Sequence, residues 1–179
     1  MTTETRSVRG IPVAPFVTDV AAHIGGQDAD VGPTIEKFQE ALSKYRYMEM
    51  STVQRRQGLE QKIPDISKTL DMVQLLKKRR DDPEPLETTF ELCDTLFARA
   101  TLEPVERVHL WLGANVMLAY ELDDAIELLT EKLRTAEANL AGAKEDLAFL
   151  RDQITTMEVN IARVHNWDVK RRREAKASQ

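Results

Sequence analysis

Three histidines, one cysteine, a pair of aspartates and a run of four cations are the residues whose types could do chemistry. His23, His109 and His165 are far apart in sequence, and no two have the short spacing of zinc ligands. His109 reads as a strand-surface residue and His165 as a neighbour of a helical seam. Cys93 would be a nucleophile only as a thiolate with an activating partner, and no local motif supplies one. As the single cysteine it excludes an internal disulfide and suits a reducing compartment. Neither the Walker pattern nor the dinucleotide fingerprint occurs. Asp123 and Asp124 are explained by the start of a helix, where negative charge is favoured. The sequence thus predicts no catalytic residue, no metal site and no cofactor, and so not an enzyme. Lys170-Arg-Arg-Arg173 has two readings: a nuclear-import or nucleic-acid patch, or the solvated cationic end of a helix.

The element beside those cations is the most regular part of the chain. Leu122, Ile126, Leu129, Leu133, Ala136, Leu140, Ala143, Leu147, Leu150, Ile154, Met157, Ile161 and Val164 follow in steps of three and four. A step averaging about 3.5 keeps one seam of an under-wound helix facing a partner, so this is a coiled-coil strand. From Leu122 to Trp167 it would be roughly 69 Å long at about 1.5 Å per residue. Such a rod points to holding, bridging or clamping. The chain has 179 residues, 31% of them charged, with seven glycines and seven prolines, a composition suited to long exposed helices. The net charge of −5 gives no global reason to expect nucleic acid. No apolar run approaches the roughly 18 residues of a membrane span, and the start lacks a secretory apolar core. The expected compartment is the cytosol, with the nucleus open as a second.

Five segments follow. Residues 1–32 are a flexible lead, in which Phe16, Val20 and Ile24 make a short amphipathic helix that stops at Gly25-Gly26. This stripe either displays itself or folds back on the helices. Gln27 to Gly32 is a polar linker. Residues 33–80 form a first long helix, opened by Pro33 and bent by Pro64, with Ile35, Phe38, Leu42 and Tyr45 in the three-four rhythm. Residues 86–120 change period: Leu86, Thr88, Phe90 and Leu92 alternate with Glu87, Thr89 and Glu91, as in a half-buried strand. Three more strands follow, Leu96 to Leu102, a third carrying Val108, Leu110 and Leu112 on one face, and Val116 to Tyr120, with a hairpin turn at Gly113-Ala-Asn115. Residues 122–169 are the second helix, and 170–179 a basic polar tail.

Two arms of nearly equal length around a compact insert imply an antiparallel coiled coil, with Ile35 facing Val164 and Val73 facing Ile126. Both chain ends then meet at one tip. The predicted fold class is α+β, a long antiparallel two-helix coiled coil joined by a four-stranded, two-hairpin β insert. Four short strands cannot hide both faces and both edges, so the insert should pair with other chains.

This architecture resembles prefoldin. Leu110-Trp-Leu-Gly-Ala-Asn-Val-Met-Leu118, Phe149-Leu-Arg-Asp-Gln153 and Asn166-Trp-Asp-Val-Lys-Arg-Arg172 look like the subunit-3 family of eukaryotes, as do Gly10-Ile-Pro12 and Ile63-Pro-Asp-Ile66. Two hairpins in the insert fit the α class of subunits. The resemblance covers about Gly10 to Arg173. It implies a heterohexamer of two α-class and four β-class subunits whose hairpins form a multi-subunit β-barrel. It also implies an ATP-independent holdase that captures unfolded actin and tubulin for the cytosolic group II chaperonin. On that reading Phe90, Leu92, Leu96, Leu110, Trp111, Leu112, Val116 and Leu118 serve assembly. Phe16, Val17, Val20, Ile24, Val164, Trp167 and Val169 form a client-binding tip. Lys170, Arg171, Arg172 and Arg173 gain a third reading, contact with the chaperonin or another acidic partner. No membrane or nucleic-acid partner is expected. The alternatives are a structural coiled-coil adaptor without chaperone activity, which would need only a short loop between its arms, and a nucleic-acid-associated factor using the basic tail.

Overall fold

A computed structural model of the chain describes residues 10–26, 29–81 and 84–177. The start of the lead, Gln27 and Asp28 of the expected linker, Asp82 and Pro83, and Ser178 and Gln179 lie outside the described residues. The order is α1 (Val20–Ile24), α2 (Gly32–Arg79), β1 (Leu86–Cys93), β2 (Leu96–Leu102), β3 (Arg107–Gly113), β4 (Val116–Glu121) and α3 (Leu122–Ala177). These are the two long helices and two hairpins of the predicted α+β class. Two compact units result: the described residues up to Gly58 with those from Leu140 onward, and residues 59–139.

In the first unit α2 and α3 run antiparallel. Arg46 pairs with Glu158 at 2.8 Å, Arg55 with Asp146 at 3.2 Å and Arg151 with Glu49 at 3.7 Å. The seam of α3 supplies Leu150 and Val164, both 0% exposed, and Met157; α2 supplies Phe38 and Tyr45. A third component completes this core. Ala14, Val17, Val20 and Val31 of the lead are all buried in it. Between Ile11 and Gly26 the lead is packed against the helices, the folded-back arrangement of its apolar stripe. Pro12 and Pro15 hold it extended, and apolar residues three apart then fall on one side of a three-residue turn. The Asp19 carboxylate caps α1 by accepting from the Ala22 N–H at 3.1 Å. Gly25, at φ 96°, ends it in the left-handed conformation that a side chain resists. The Gly32 N–H then donates to Asp30 Oδ1 at 3.0 Å as α2 begins.

In the second unit Leu70 and Val73 of α2 meet Leu122, Ala125 and Leu129 of α3 in another core, with Lys77 paired to Asp123 on the surface. α2 stays helical through Pro64, which lacks one donor of the ladder. Among the described residues β1 pairs only with β2, and β3 only with β4, each antiparallel. The second hairpin turns on Ala114 and Asn115, at φ 48° and 62°, a backbone pair whose twist matches that of the strands. Leu110, Val108 and Tyr120 of this hairpin pack onto the helices. α3 itself continues to Ala177, so the cationic run expected to open a polar tail is helical.

Burial predicts the stability contributions. Leu150→Ala should cost about 2–5 kcal/mol in urea unfolding, because it empties a site closed on all sides. Val159→Ala, on an exposed position of the same helix, should change stability by less than about 0.5 kcal/mol.

Candidate functional site

The hairpins carry apolar side chains that this chain does not cover. In the first, the register sets Phe90 opposite Ala98 and Leu86 opposite Leu102, so Leu86, Phe90 and Leu92 share a face with Leu96, Ala98, Ala100 and Leu102. Phe90 is 62% exposed, and Leu92 and Leu96 nearly as much. In the second hairpin Trp111, 59% exposed, stands opposite Met117, and Leu112, Val116 and Leu118 are exposed as well. Leu110 departs from the expected assembly set. It is 9% exposed and packs with Leu70, Val73 and Leu122, because its strand lies over the helices; it supports the hairpin from beneath. Phe97 and Met117 are exposed apolar residues that the sequence reading left out. Phe97 stands opposite Glu91, so the first hairpin has an apolar residue on its charged face also. Uncovered apolar area of this extent, on two-stranded sheets whose outer edges are unpaired, is a surface for association.

A second surface lies in the first unit. Of the residues expected at a client-binding tip, Val17, Val20 and Val164 are buried in the core while the lead is in place. Ile24, Trp167 and Val169 are half-buried. Phe16 is 52% exposed, with the Arg163 guanidinium 5.2 Å from its ring centroid. Trp167 packs on the core beneath Arg171, whose guanidinium is 5.2 Å from its ring. Between α2 and α3 runs an open groove of about 710 Å³. Ile35, Leu42 and Ile161 form its apolar floor, and Arg46, Glu158 and His165 its polar rim; none of its lining residues belongs to the lead.

The four cations are not one uniform patch. Asp168, buried, accepts from Arg171 at 2.8 Å and pairs with Arg172 at 2.7 Å. Arg171 also donates to the Ala29 carbonyl at 2.8 Å, so it pins the lead to α3. Lys170, Arg172 and Arg173 stay exposed. On the surface, the neighbouring Lys77 lowers the pKa of Asp123 and the neighbouring Lys44 that of Glu40, in each case through a hydrogen bond first and charge second. His23 stacks on Phe38, with ring centroids 5.6 Å apart, and among the described residues no cluster could hold a metal ion.

Tyr45 is the titratable group that binds the lead, donating its hydroxyl to the Pro12 carbonyl at 3.1 Å. Burial raises its pKa above the ordinary value. A raised pKa means that the folded form favours the protonated phenol. The stabilisation is therefore complete below the ordinary tyrosine pKa and is lost as pH rises through the raised one. Tyr45→Phe should remove this alkaline loss, read as pH-dependent unfolding of the intact chain and the variant.

The family model for the prefoldin subunit matches residues 45–167. Prefoldin subunit 3 of Elsinoe fawcettii is 54% identical over 170 residues, which is 95% of this chain and 86% of that one. Prefoldin subunit 3 of Homo sapiens is 46% identical over 166 residues, 91% of this chain and 83% of the relative. The protein of the same name from Saccharomyces cerevisiae is 43% identical over 183 residues, 97% and 92% of the two chains. Among solved structures, the cryo-EM structure of filamentous PFD from Methanocaldococcus jannaschii shares the fold at a TM-score of 0.52 and 15% identity, over 67% of this chain and 97% of that one. With a family model across most of its length and subunit 3 relatives along nearly all of it, the chain belongs to the prefoldin family, in its subunit 3 branch.

Proposed function

We propose that this chain, a prefoldin co-chaperone subunit, works in a heterohexamer of two α-class and four β-class subunits as an ATP-independent holdase. On this reading it captures unfolded actin and tubulin and passes them to the cytosolic group II chaperonin. The observation that carries the reading is the pair of hairpins with Phe90, Leu92, Leu96, Trp111 and Leu118 left in water. A two-stranded hairpin is marginal alone, and edge pairing with other subunits would cover both its edges and its faces. An adaptor would have no use for such an insert.

The client would meet Phe16, Trp167 and the groove floored by Ile35, Leu42 and Ile161, which offer modest apolar area beside charged groups. Each contact is then weak and reversible without nucleotide hydrolysis. Several arms engaging one client supply avidity through effective concentration. Lys170, Arg172 and Arg173 would steer toward acidic surfaces of clients or of the chaperonin. The compartment that fits this work is the cytoplasm.

Co-expression with β-class subunits and a native mass measurement tests assembly. The intact chain should enter a hexamer, and Phe90→Asp or Leu118→Asp should abolish entry while leaving helicity nearly unchanged. Leu110→Asp should instead lower helicity and stability, since it charges a core. A normal hexamer yield from Phe90→Asp with Leu118→Asp would contradict the assignment of the hairpins. In the assembled complex, reversal to Glu at Lys170, Arg172 and Arg173 should weaken chaperonin binding at low salt and have little effect at high salt. Equal binding by variant and parent at low salt would remove these cations from the docking role. An aggregation-suppression assay with unfolded actin and tubulin tests capture: a hexamer that leaves aggregation unchanged would refute the holdase reading.

A further inference from the structure

The lead occupies a groove that reads main chain. Hydrogen bonds from side chains of α2 and α3 to the backbone of the lead tie it in place. Asn160, 0% exposed, accepts from the Val17 N–H at 2.9 Å and donates to the Pro15 carbonyl at 2.7 Å, as a neighbouring strand would. Gln153 accepts from the Ala14 N–H at 2.8 Å, and Arg163 donates to the Thr18 carbonyl at 2.8 Å. Tyr45 and Arg171 hold the Pro12 and Ala29 carbonyls. The side chains that enter the core, Ala14, Val17 and Val20, are small or β-branched and stand three residues apart.

Phe16 against Arg163 and His23 against Phe38 are contacts of the lead's own side chains, but the backbone hydrogen bonds are particular to no sequence. Every extended polypeptide presents N–H and C=O groups in this rhythm, and small apolar residues at every third position are common in non-native chains. We infer that the groove is a binding site for extended apolar segments of a non-native client, with residues 11–24 as a built-in occupant that a client segment displaces. The inference rests on the client-capture reading above and gives it a site and a release step. Because the lead is tethered, it competes at an effective concentration of order mM. A client segment therefore holds the groove only while its other contacts to the complex persist. Once those loosen, the lead returns and the segment is expelled without ATP. The lead also keeps Leu150, Met157 and Val164 from lying open between clients.

The test uses the assembled complex with the full chain. Hydrogen exchange should show the Ala14 and Val17 amides protected in the free complex and at least tenfold less protected when it is saturated with a permanently unfolded, carboxymethylated protein. A second measurement uses a fluorescent peptide of residues 11–24. It should bind a complex whose chain lacks residues 1–26 at least tenfold more tightly than the intact complex, and the unfolded protein should displace it. Methylating the peptide nitrogens of Ala14 and Val17 should reduce its binding at least tenfold, since both donors are lost. Unchanged protection at client saturation, in a complex that still suppresses aggregation, overturns this inference and leaves client capture standing. Loss of aggregation suppression in the intact complex would bring down both. If the truncated chain does not assemble, the exchange measurement alone decides.

Discussion

Two helices meet along a line, and each apolar side chain on that line has water to either side. This geometric limit explains why neither unit is made of α2 and α3 alone. In the first unit the lead lies along the pair and turns a seam into an enclosed core, with Ala14, Val17 and Val20 packed beside Leu150 and Val164. In the second unit the same service is done by a hairpin, through Val108, Leu110 and Tyr120. Each Val or Leu so covered contributes about 1.5–3 kcal/mol of transfer free energy. On the strands of both hairpins, faces carrying Phe90, Leu92, Leu96, Trp111 and Leu118 stay exposed.

Polar groups inside such a thin core fix positions. An apolar contact tolerates sliding, whereas Asn160 must meet one N–H and one carbonyl, and a shift of the lead by a residue would strand both. A buried group without its partner costs about 1–3 kcal/mol, so the amides of Gln153 and Asn160 select one register of the lead from many that hydrophobic contact would allow. Asp146, buried, serves the helix pair in a similar way by holding Arg55, and Asp168 by gathering Arg171 and Arg172.

Much of the fold was legible because periodicity encodes which side of an element is covered. Leu150, Met157 and Val164 declared themselves as seam positions, and the alternation from Leu86 to Leu92 declared a strand. The site was less legible. Gln153 and Asn160 stand seven residues apart, a spacing that looks like the wet flank of a coiled coil until the lead is known to lie there. Leu110 and Leu118 are cross-strand partners on one face, yet one is buried and the other exposed, since the helices reach under only part of the sheet. Lys170 to Arg173 looked like a helix end. With no glycine or proline before Ala177 and with Asp168 in reach, nothing stops the helix there.

The order in which the ribosome delivers these parts is itself a consequence of where the lead binds. Val17 and Asn160 are separated by 143 positions, so at about 5–20 residues per second the lead waits roughly 7–30 s for its partner amide to be made. The hairpins close over short sequence distances and need no such wait. During synthesis the nascent chain thus presents an unsheltered apolar lead and a first helix with no mate. Until Asn160 is made, this subunit is itself a chain whose apolar residues lack their cover.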